Sequence, residues 1–538
     1  MNNIKKEYVL ALYDFASKQE FIYRTSKIKE ISGASELLAG MYNELIATVN
    51  EFGIDGRKIL YLKNEEENEL EPFCMDEFSK RIDILGQVLY DGGGNLMVMY
   101  KSKGDFIAAN KIMSRYLIQN GTGLSMICSS TEIIFDDNEK ENFSKTVEEL
   151  YRRNKIRKNT SPVANMWEVT PMTQTDPQTF LPVTFKGEDH GKEVSMSADR
   201  YVKKSRYNKI HKKDLTPEDF SGLTAVVYID GNSLGKRVKE CTNVHSFDEG
   251  VYNLRTLSKE IGKHFINDPE EELRTFLDSS DEKPSFRKIL GAGDEITFIC
   301  DAEVALKLVL KYFDVLEKSN AGRKEDTKNY SCAGIAVAHS KTPFNMVYEI
   351  AEAACESAKA LSRSKNGNYI DFYYCHMGVT NDFEAFRKRE QYMTGKPYSI
   401  NDLSAVINNI VPKLLAAGRA NVKSLGEAAQ KSKTKYLLEV QRINAYIVDK
   451  CNAFVKNPYN DEEKQLFKLA GFNFTSSDLE DPQKAEETAM ELAKMLCFAS
   501  EDKPGFYEEM QNVYDLSEFF DLWFSTAEKF ADLTGVTK

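Results

Sequence analysis

Phe286–Cys300 reads FRKILGAGDEITFIC, and a counterpart stands far upstream at Val88–Tyr100, VLYDGGGNLMVMY. Each is an apolar run, a glycine turn and a second apolar run, which is the pattern of a β-hairpin with a tight tip. The tips differ in chemistry. Asp294 and Glu295 occupy the later one, Asn95 and Leu96 the earlier one. A scaffold used twice, once with acid and once without, implies one working centre and one structural partner.

Outward from the later hairpin, LTAVVYID (223–230) reads as a strand ending on Asp230, and a helix is expected over Asp248–Phe265. The acidic segment 267–285 reads as an exposed loop. An amphipathic helix (302–318), a strand (332–339), a helix (344–363) and a last strand (367–374) follow. Around the earlier hairpin, YVLALY (8–13), a helix at 34–52, KILYL (58–62), a helix over Asp105–Leu117 and LSMIC (124–128) repeat that alternation. Both cycles run β-α-β-β-α-β, the order of a ferredoxin-like palm. The sequence therefore predicts an α+β fold. Two tandem ferredoxin-like palms are expected, non-catalytic at 1–135 and catalytic at 221–380. Residues 136–220 read as an irregular connector or small insert, and 381–538 as a C-terminal α-helical domain. Its helices are expected over Leu403–Leu415, Ser424–Asp449, Ala485–Ser500 and Ser517–Leu533, with 506–524 as a packed helix pair.

Composition narrows the classes. At 538 residues several domains are expected. No apolar stretch approaches the ~18 residues of a spanning helix, and the N-terminus lacks a signal-peptide layout, so a cytoplasmic protein without membrane contact is expected. Nine cysteines form no CxxC pair, and Cys300, Cys332 and Cys355 lie in apolar runs as core thiols. Six histidines form no HExxH and no His-Asp dipeptide. The net charge of −12 argues against tight autonomous DNA binding. The basic runs Arg152–Lys158 and Lys203–Lys213 read as solvated faces, with phosphate contact as the alternative. Trp167 and Trp523 read as packing residues.

In this fold the first strand and the hairpin lie side by side, so Asp230, Asp294 and Glu295 can converge on one sheet edge. These three are the expected catalytic residues and metal ligands. Phosphoryl transfer from a triphosphate uses carboxylates to hold two divalent ions, and oxygen donors suit Mg²⁺ or Mn²⁺, not zinc. Gly291 and Gly293 allow a tight turn and close phosphate approach. Lys359, on the helix before the last strand, can reach a triphosphate as a point charge, and Arg363 lies one turn on. A surface ion pair is the alternative for each.

These motifs resemble the large palm-containing subunit of type III CRISPR effector complexes, the tenth Cas protein family. LYDFASKQEFIYRTSKIKEISGASELLAG (12–40), with Gln19, Phe21, Ile22 and the helix start Gly33-Ala34-Ser35, looks like the opening of its first palm. GGGNL (92–96) looks like its non-catalytic hairpin, VVYIDGNSLGKRV (226–238) like its metal strand and GAGDEI (291–296) like its Gly-Gly-Asp-Asp tip. CAGIAVAHSKTPF, the AKALSR helix and MTGKPYSINDLSAVI (393–407) fit the end of the second palm and the start of its helical domain. The resemblance implies a nucleotidyltransferase making cyclic oligoadenylate from ATP, one ATP's 3′-hydroxyl attacking the α-phosphate of another. Gly231 and Asn232 would join the nucleotide site, and other CRISPR effector subunits and guide RNA would be partners. The sequence departs from the family in four ways. No His-Asp nuclease domain precedes the first palm, so no DNase activity is expected. MTQTDPQTFLPV (172–183) lacks the zinc cysteines, so no zinc is expected. Asn232 replaces an acid, and the tip is Ala-Gly-Asp-Glu, with Ala292 for glycine. Two other readings stay open. One is a diguanylate-cyclase-like enzyme using GTP, the other a non-catalytic scaffold subunit of an RNA-guided complex.

Overall fold

The computed structural model describes residues 6–534, apart from 62–71, 121–122, 136–142, 161–172, 190–191, 211–219, 221, 233, 245, 281–282, 376–382, 391, 457–481 and 502. Trp167 lies outside the described residues, as do Lys212 and Lys213. The fold is mixed α+β, built around two larger sheets.

The first sheet begins with β1 (Lys6–Phe15), which is followed by helices α1 (Lys18–Tyr23) and α2 (Ile28–Phe52). Then come β2 (Lys58–Leu60), α3 (Met75–Lys80), the hairpin β3 (Ile84–Gly92) and β4 (Asn95–Tyr100), α4 (Lys103–Gln119), β5 (Met126–Phe135) and α5 (Phe143–Thr160). Its order is β2-β3-β4-β1-β5. The alternation of apolar residues along β1 sends Val9, Ala11 and Tyr13 to one core and Tyr8, Leu10 and Leu12 to another, so both faces of the strand are buried.

A short hairpin, β6 (Val183–Asp189) and β7 (Lys192–Ser197), leads into α6 (Ala198–Ile210). The segment expected as an irregular connector or small insert holds, in its described part, α5, a hairpin and α6. The sequence hid them because these elements bury few apolar side chains. They bury charge instead. Lys203 is 0% exposed, and its ammonium lies 3.1 Å from Asp199 and over the Phe21 ring. Arg200 donates to Glu30 at 2.6 Å, and Arg206 to Glu44 at 2.8 Å. The basic run is thus no solvated face at Lys203 or Arg206. Likewise, on α5, Arg152 and Arg153 pair with Glu149 while Lys158 pairs with buried Asp14.

The second sheet contains β8 (Leu223–Gly231), β9 (Phe286–Ala292), β10 (Glu295–Asp301), β11 (Ser331–His339), β12 (Tyr369–Tyr374) and β13 (Tyr398–Ser399), in the order β13-β12-β11-β8-β10-β9. Helices α7 (Leu234–Thr242), α8 (Phe247–Ile261) and α9 (Asp268–Ser279) separate β8 from β9. Here the exposed-loop reading of 267–285 is corrected. Pro269 sits in the first turn of α9, acids Asp268, Glu270 and Glu271 favour its N-terminus, and Leu273 and Leu277 enter the core. Helices α10 (Ala305–Ser319) and α11 (Phe344–Lys365) cover opposite faces.

Helix α12 (Phe383–Glu390) precedes β13, after which the described residues form α13 (Ile400–Ala417), α14 (Arg419–Lys431), α15 (Lys433–Lys456), α16 (Pro482–Leu496), α17 (Phe506–Phe519) and α18 (Ala527–Thr534). The single helix expected over Ser424–Asp449 is two, broken at Ser432, and 506–524 is one helix running into a π-turn. These helices share one continuous core with a face of the second sheet, where Trp523 is buried and donates to Ala302 O at 2.8 Å.

Candidate active site at the meeting of two glycine tips

Four strands of each sheet, β3-β4-β1-β5 and β9-β10-β8-β11, repeat one another in order and in register at the hairpin. In each, the fourth strand of the β-α-β-β-α-β run pairs with the first, the first with the third and the third with the second, all antiparallel. On β1 the register puts Tyr13 opposite Leu96; on β8 it puts Ile229 opposite Ile296. One step further along each pair, Asp14 stands beside Asn95 as Asp230 stands beside Glu295. Even the irregularity is shared. The ladder skips Leu89 in the first hairpin and Ile289 in the second, a β-bulge at the same place. The hairpins meet at their tips. Gly93 and Gly293 both have positive φ, and a Cβ on Gly293 would lie 3.5 Å from Gly93 Cα.

The acids gather on the second sheet. Asp230 is the penultimate residue of β8, and Asp294 turns back over the last one: a Cβ on Gly231 would fall 2.7 Å from Asp294 Cβ. Only glycine there lets the tip fold so closely onto the strand. Burial, and then the Asp230 carboxylate, push the Asp294 carboxyl up to about 6. Glu295 is pushed up to about 8 by burial, with Asp230, Glu352 and Asp294 adding to it and Lys359 opposing. Its Oε1 is buried without a hydrogen-bond partner. Adjacent strand residues project to opposite faces. Glu295 accordingly shares the face of Tyr228 and Tyr348, whose phenols are raised by burial, while Asp294 sits over the edge. Among the described residues no three His, Cys, Asp or Glu side chains form a ready metal-holding group. The expected convergence of three carboxylates is in the structure a pair, Asp230 with Asp294, flanked by Glu295.

Lys359, on α11, pairs with Asp230 and lies 3.3 Å from Glu356. Burial alone would lower its pKa, but Asp230 holds it above the usual value. Arg363 is largely exposed and reaches Glu356 at 3.4 Å, away from the carboxylates. Asn232 donates from its side chain to Ser362 Oγ at 2.7 Å, and its backbone N–H donates to Tyr330 O, so it braces β8 against α11. Gly291 lies within β9, with the Lys288 stem 3.4 Å from its Cβ position.

The sequence reading missed Asp14, Lys18 and Lys158. Lys158 is the sixteenth residue of α5, and Lys359 the sixteenth of α11; both helices begin with Phe. The Asp14–Lys158 pair thus repeats Asp230–Lys359. The signal was available: LYDF and YIDG both end an apolar strand on aspartate. The missed contacts at the seam between the sheets include Gln19, which donates to Glu352 at 2.9 Å, and Tyr23, stacked on Tyr348 at 3.8 Å. No helix of the described residues is long and apolar enough to cross a membrane.

No family model matches the sequence, and no curated protein matches it. Among solved structures, the chain is similar to one of the Csm1-Csm4 cassette in complex with cA4, at 13% identity and TM-score 0.48, over 96% of this chain and 70% of that one. It is similar to a chain of the apo Csm1-Csm4 cassette at 13% identity and TM-score 0.47, over 92% and 70%. It is also similar to a chain of the Csm1-Csm4 subcomplex in the type III-A CRISPR-Csm interference complex, at 12% identity and TM-score 0.46, over 91% and 70%.

Proposed function

We propose that the chain is a metal-dependent nucleotidyltransferase that joins ATP into a cyclic oligoadenylate in type III CRISPR-like defence. In this reading residues 221–380 form the catalytic palm and 1–135 the non-catalytic one. The observation that carries it is a surplus of carboxyl groups at the β8 end, two of them raised by burial and by one another. Asp230, Asp294 and Glu295 crowd together there, and Lys359 supplies the compensating cation.

That surplus fits a divalent cation. The donors are all carboxylate oxygens, and one buried Glu295 oxygen lacks a partner. Mg²⁺ or Mn²⁺, when bound, would neutralise phosphate charge and lower the pKa of an attacking hydroxyl. The chain's own residues do the rest. Asp230 and Asp294 hold the cation locus at the sheet edge. Lys359 fixes the Asp230 carboxylate and offers a positive charge to a phosphate arriving there. Gly231 lets Asp294 close onto the strand end and Gly293 lets the two tips meet, the triphosphate would lie along Gly291 and this tip, and Asn232 keeps the end of β8 in line. The neutral tip closes the site from the other side. ATP is the implied substrate, with other effector subunits and guide RNA as partners.

The test is incubation of the chain with ATP or GTP and Mg²⁺ or Mn²⁺, read by mass spectrometry beside Asp294→Ala/Glu295→Ala. Cyclic adenylates are expected from the wild type, reduced by at least on the order of 10²-fold in the variant. Products from GTP alone would favour the diguanylate-cyclase-like alternative. Absence of product from folded protein, with and without RNA-guided partners, would leave a scaffold.

A further inference from the structure

The two half-sites differ most in what stands beside the strand-end aspartate. In the neutral half Asp14 is 4% exposed. Its Oδ1 accepts from Phe15 N–H at 2.8 Å and lies 2.6 Å from Lys18 Nζ; its Oδ2 pairs with Lys158 and lies 3.5 Å from Asn154 Nδ2. Lys18 Nζ also donates to Gly94 O at 2.8 Å. One ammonium therefore bridges a strand-end carboxylate and the carbonyl of the hairpin tip.

The acidic half has the same frame and a different filling. Asp230 takes the place of Asp14 and Lys359 that of Lys158. Asp294 stands for Gly94 and Glu295 for Asn95. Helix α1 opens on Lys18, four residues after Asp14, and α7 opens on Leu234, four residues after Asp230. The lysine's sequence position thus holds Leu234, which packs against the core shared with the helical part, and two further carboxyls stand at the tip.

We infer that the Lys18 ammonium is a tethered cation. It fills, in the neutral half, the place that the acidic half leaves for a divalent ion. The inference rests on the reading of Asp230 and Asp294 as a cation site. It makes Lys18 a positioning residue, holding Gly94 and with it the tip that meets Gly293. A buried carboxylate and a carbonyl aimed at one point need a positive charge between them. One half carries that charge on its own chain, and the other takes it from solution. The neutral half is then indifferent to metal, and deleting the lysine while adding an acid at the tip should convert it to a metal site.

The experiment counts bound Mn²⁺ by electron paramagnetic resonance on the full chain. In wild type, Mn²⁺ is expected at the acidic half and is lost in Asp230→Asn/Asp294→Asn. Adding Lys18→Ala and Asn95→Asp to that variant should create a new Mn²⁺ site, whereas Lys18→Arg, which keeps the charge, should create none. The reverse graft, Leu234→Lys in the wild type, should weaken Mn²⁺ binding about tenfold or more. No Mn²⁺ gain in the Lys18→Ala/Asn95→Asp protein, shown folded by circular dichroism, would overturn the inference. If that protein does not fold, unchanged Mn²⁺ affinity in Leu234→Lys overturns it. Failure of the underlying reading looks different: Mn²⁺ binding in wild type would then be untouched by Asp230→Asn/Asp294→Asn, whatever happens at Lys18.

Discussion

At the residue scale, the tightest constraint on the site is a missing side chain. Gly231 has no Cβ, and Asp294 occupies the space one would take, with Oδ2 2.6 Å and Cβ 2.7 Å from its ideal position. Gly231→Ala should therefore displace Asp294 rather than unfold the sheet. Product formation is expected to fall by about 10²-fold, the scale of a 1 Å misplacement of a reacting group, while the circular-dichroism spectrum stays the same. A loss of activity matched by loss of fold would refute this account. Asp230, Asp294 and Glu295 were legible in the sequence because glycine turns and strand ends are written locally. Asp14 was not, because its meaning depends on the register of β1 against β4, more than eighty residues away. The role of Lys359 was legible only as a choice between a phosphate contact and an ion pair. The structure supplies the ion-pair partner, Asp230. Arg363 shared its helix face in projection, yet it stands out in solvent beside Glu356.

At the element scale, the strongly periodic pieces, β8, β11, α10 and α11, were read within a few residues of their observed ends. The failures have a common physics. Helix α9 was taken for a loop because its acids lie on the solvent side and its apolar residues, Leu273 and Leu277, are few. Helix α6 escaped because ion pairs, more than an apolar stripe, join it to the rest, and α5 because its stripe is only Phe143, Val147 and Leu150. Gly33 shows the same limit. Expected at a helix start, it lies inside α2, where α6 crosses so closely that a Cβ would come 2.0 Å from Lys203 O. A backbone atom cannot yield as a side chain can. Gly33→Ala should force the two helices apart, costing about 1–3 kcal/mol or more and leaving buried Lys203 with poorer contacts to Asp199 and Phe21. Urea titration would measure it, and an unchanged midpoint would show that the crossing is looser than described.

At the scale of the whole molecule, the helical C-terminal part is fastened to the second sheet by buried charge as well as by apolar packing. Lys396, 2% exposed at its side chain, lies 3.5 Å from Asp515 and 3.9 Å from Glu518. Burial, opposed by Lys396 and reinforced by Glu390 and Asp515, pushes the Glu518 carboxyl up to about 7. A carboxyl raised by folding favours the folded state while it is protonated. Its contribution is complete below the ordinary glutamate value of about 4.3 and is lost as pH rises through about 7. The melting temperature should accordingly decline from pH 6 to pH 8 (roughly one pH unit on either side of that value), and Glu518→Gln should flatten the decline; an equal slope in both proteins would assign it elsewhere. The seam between the two sheets is fastened differently. Arg255 on α8 donates to Leu89 O at 2.6 Å and to Val88 O at 3.1 Å, gripping the bulge of the neutral hairpin, and Asp248 accepts from Met75 N–H. At the tips themselves only glycine backbone meets glycine backbone. That bare contact has an electrical consequence. On one side of it Asp14 stands between Lys18 and Lys158, and on the other Lys359 stands among Asp230, Asp294 and Glu295. The seam is therefore lopsided, its cations gathered on the side of the neutral hairpin and its carboxyls on the side of the acidic one.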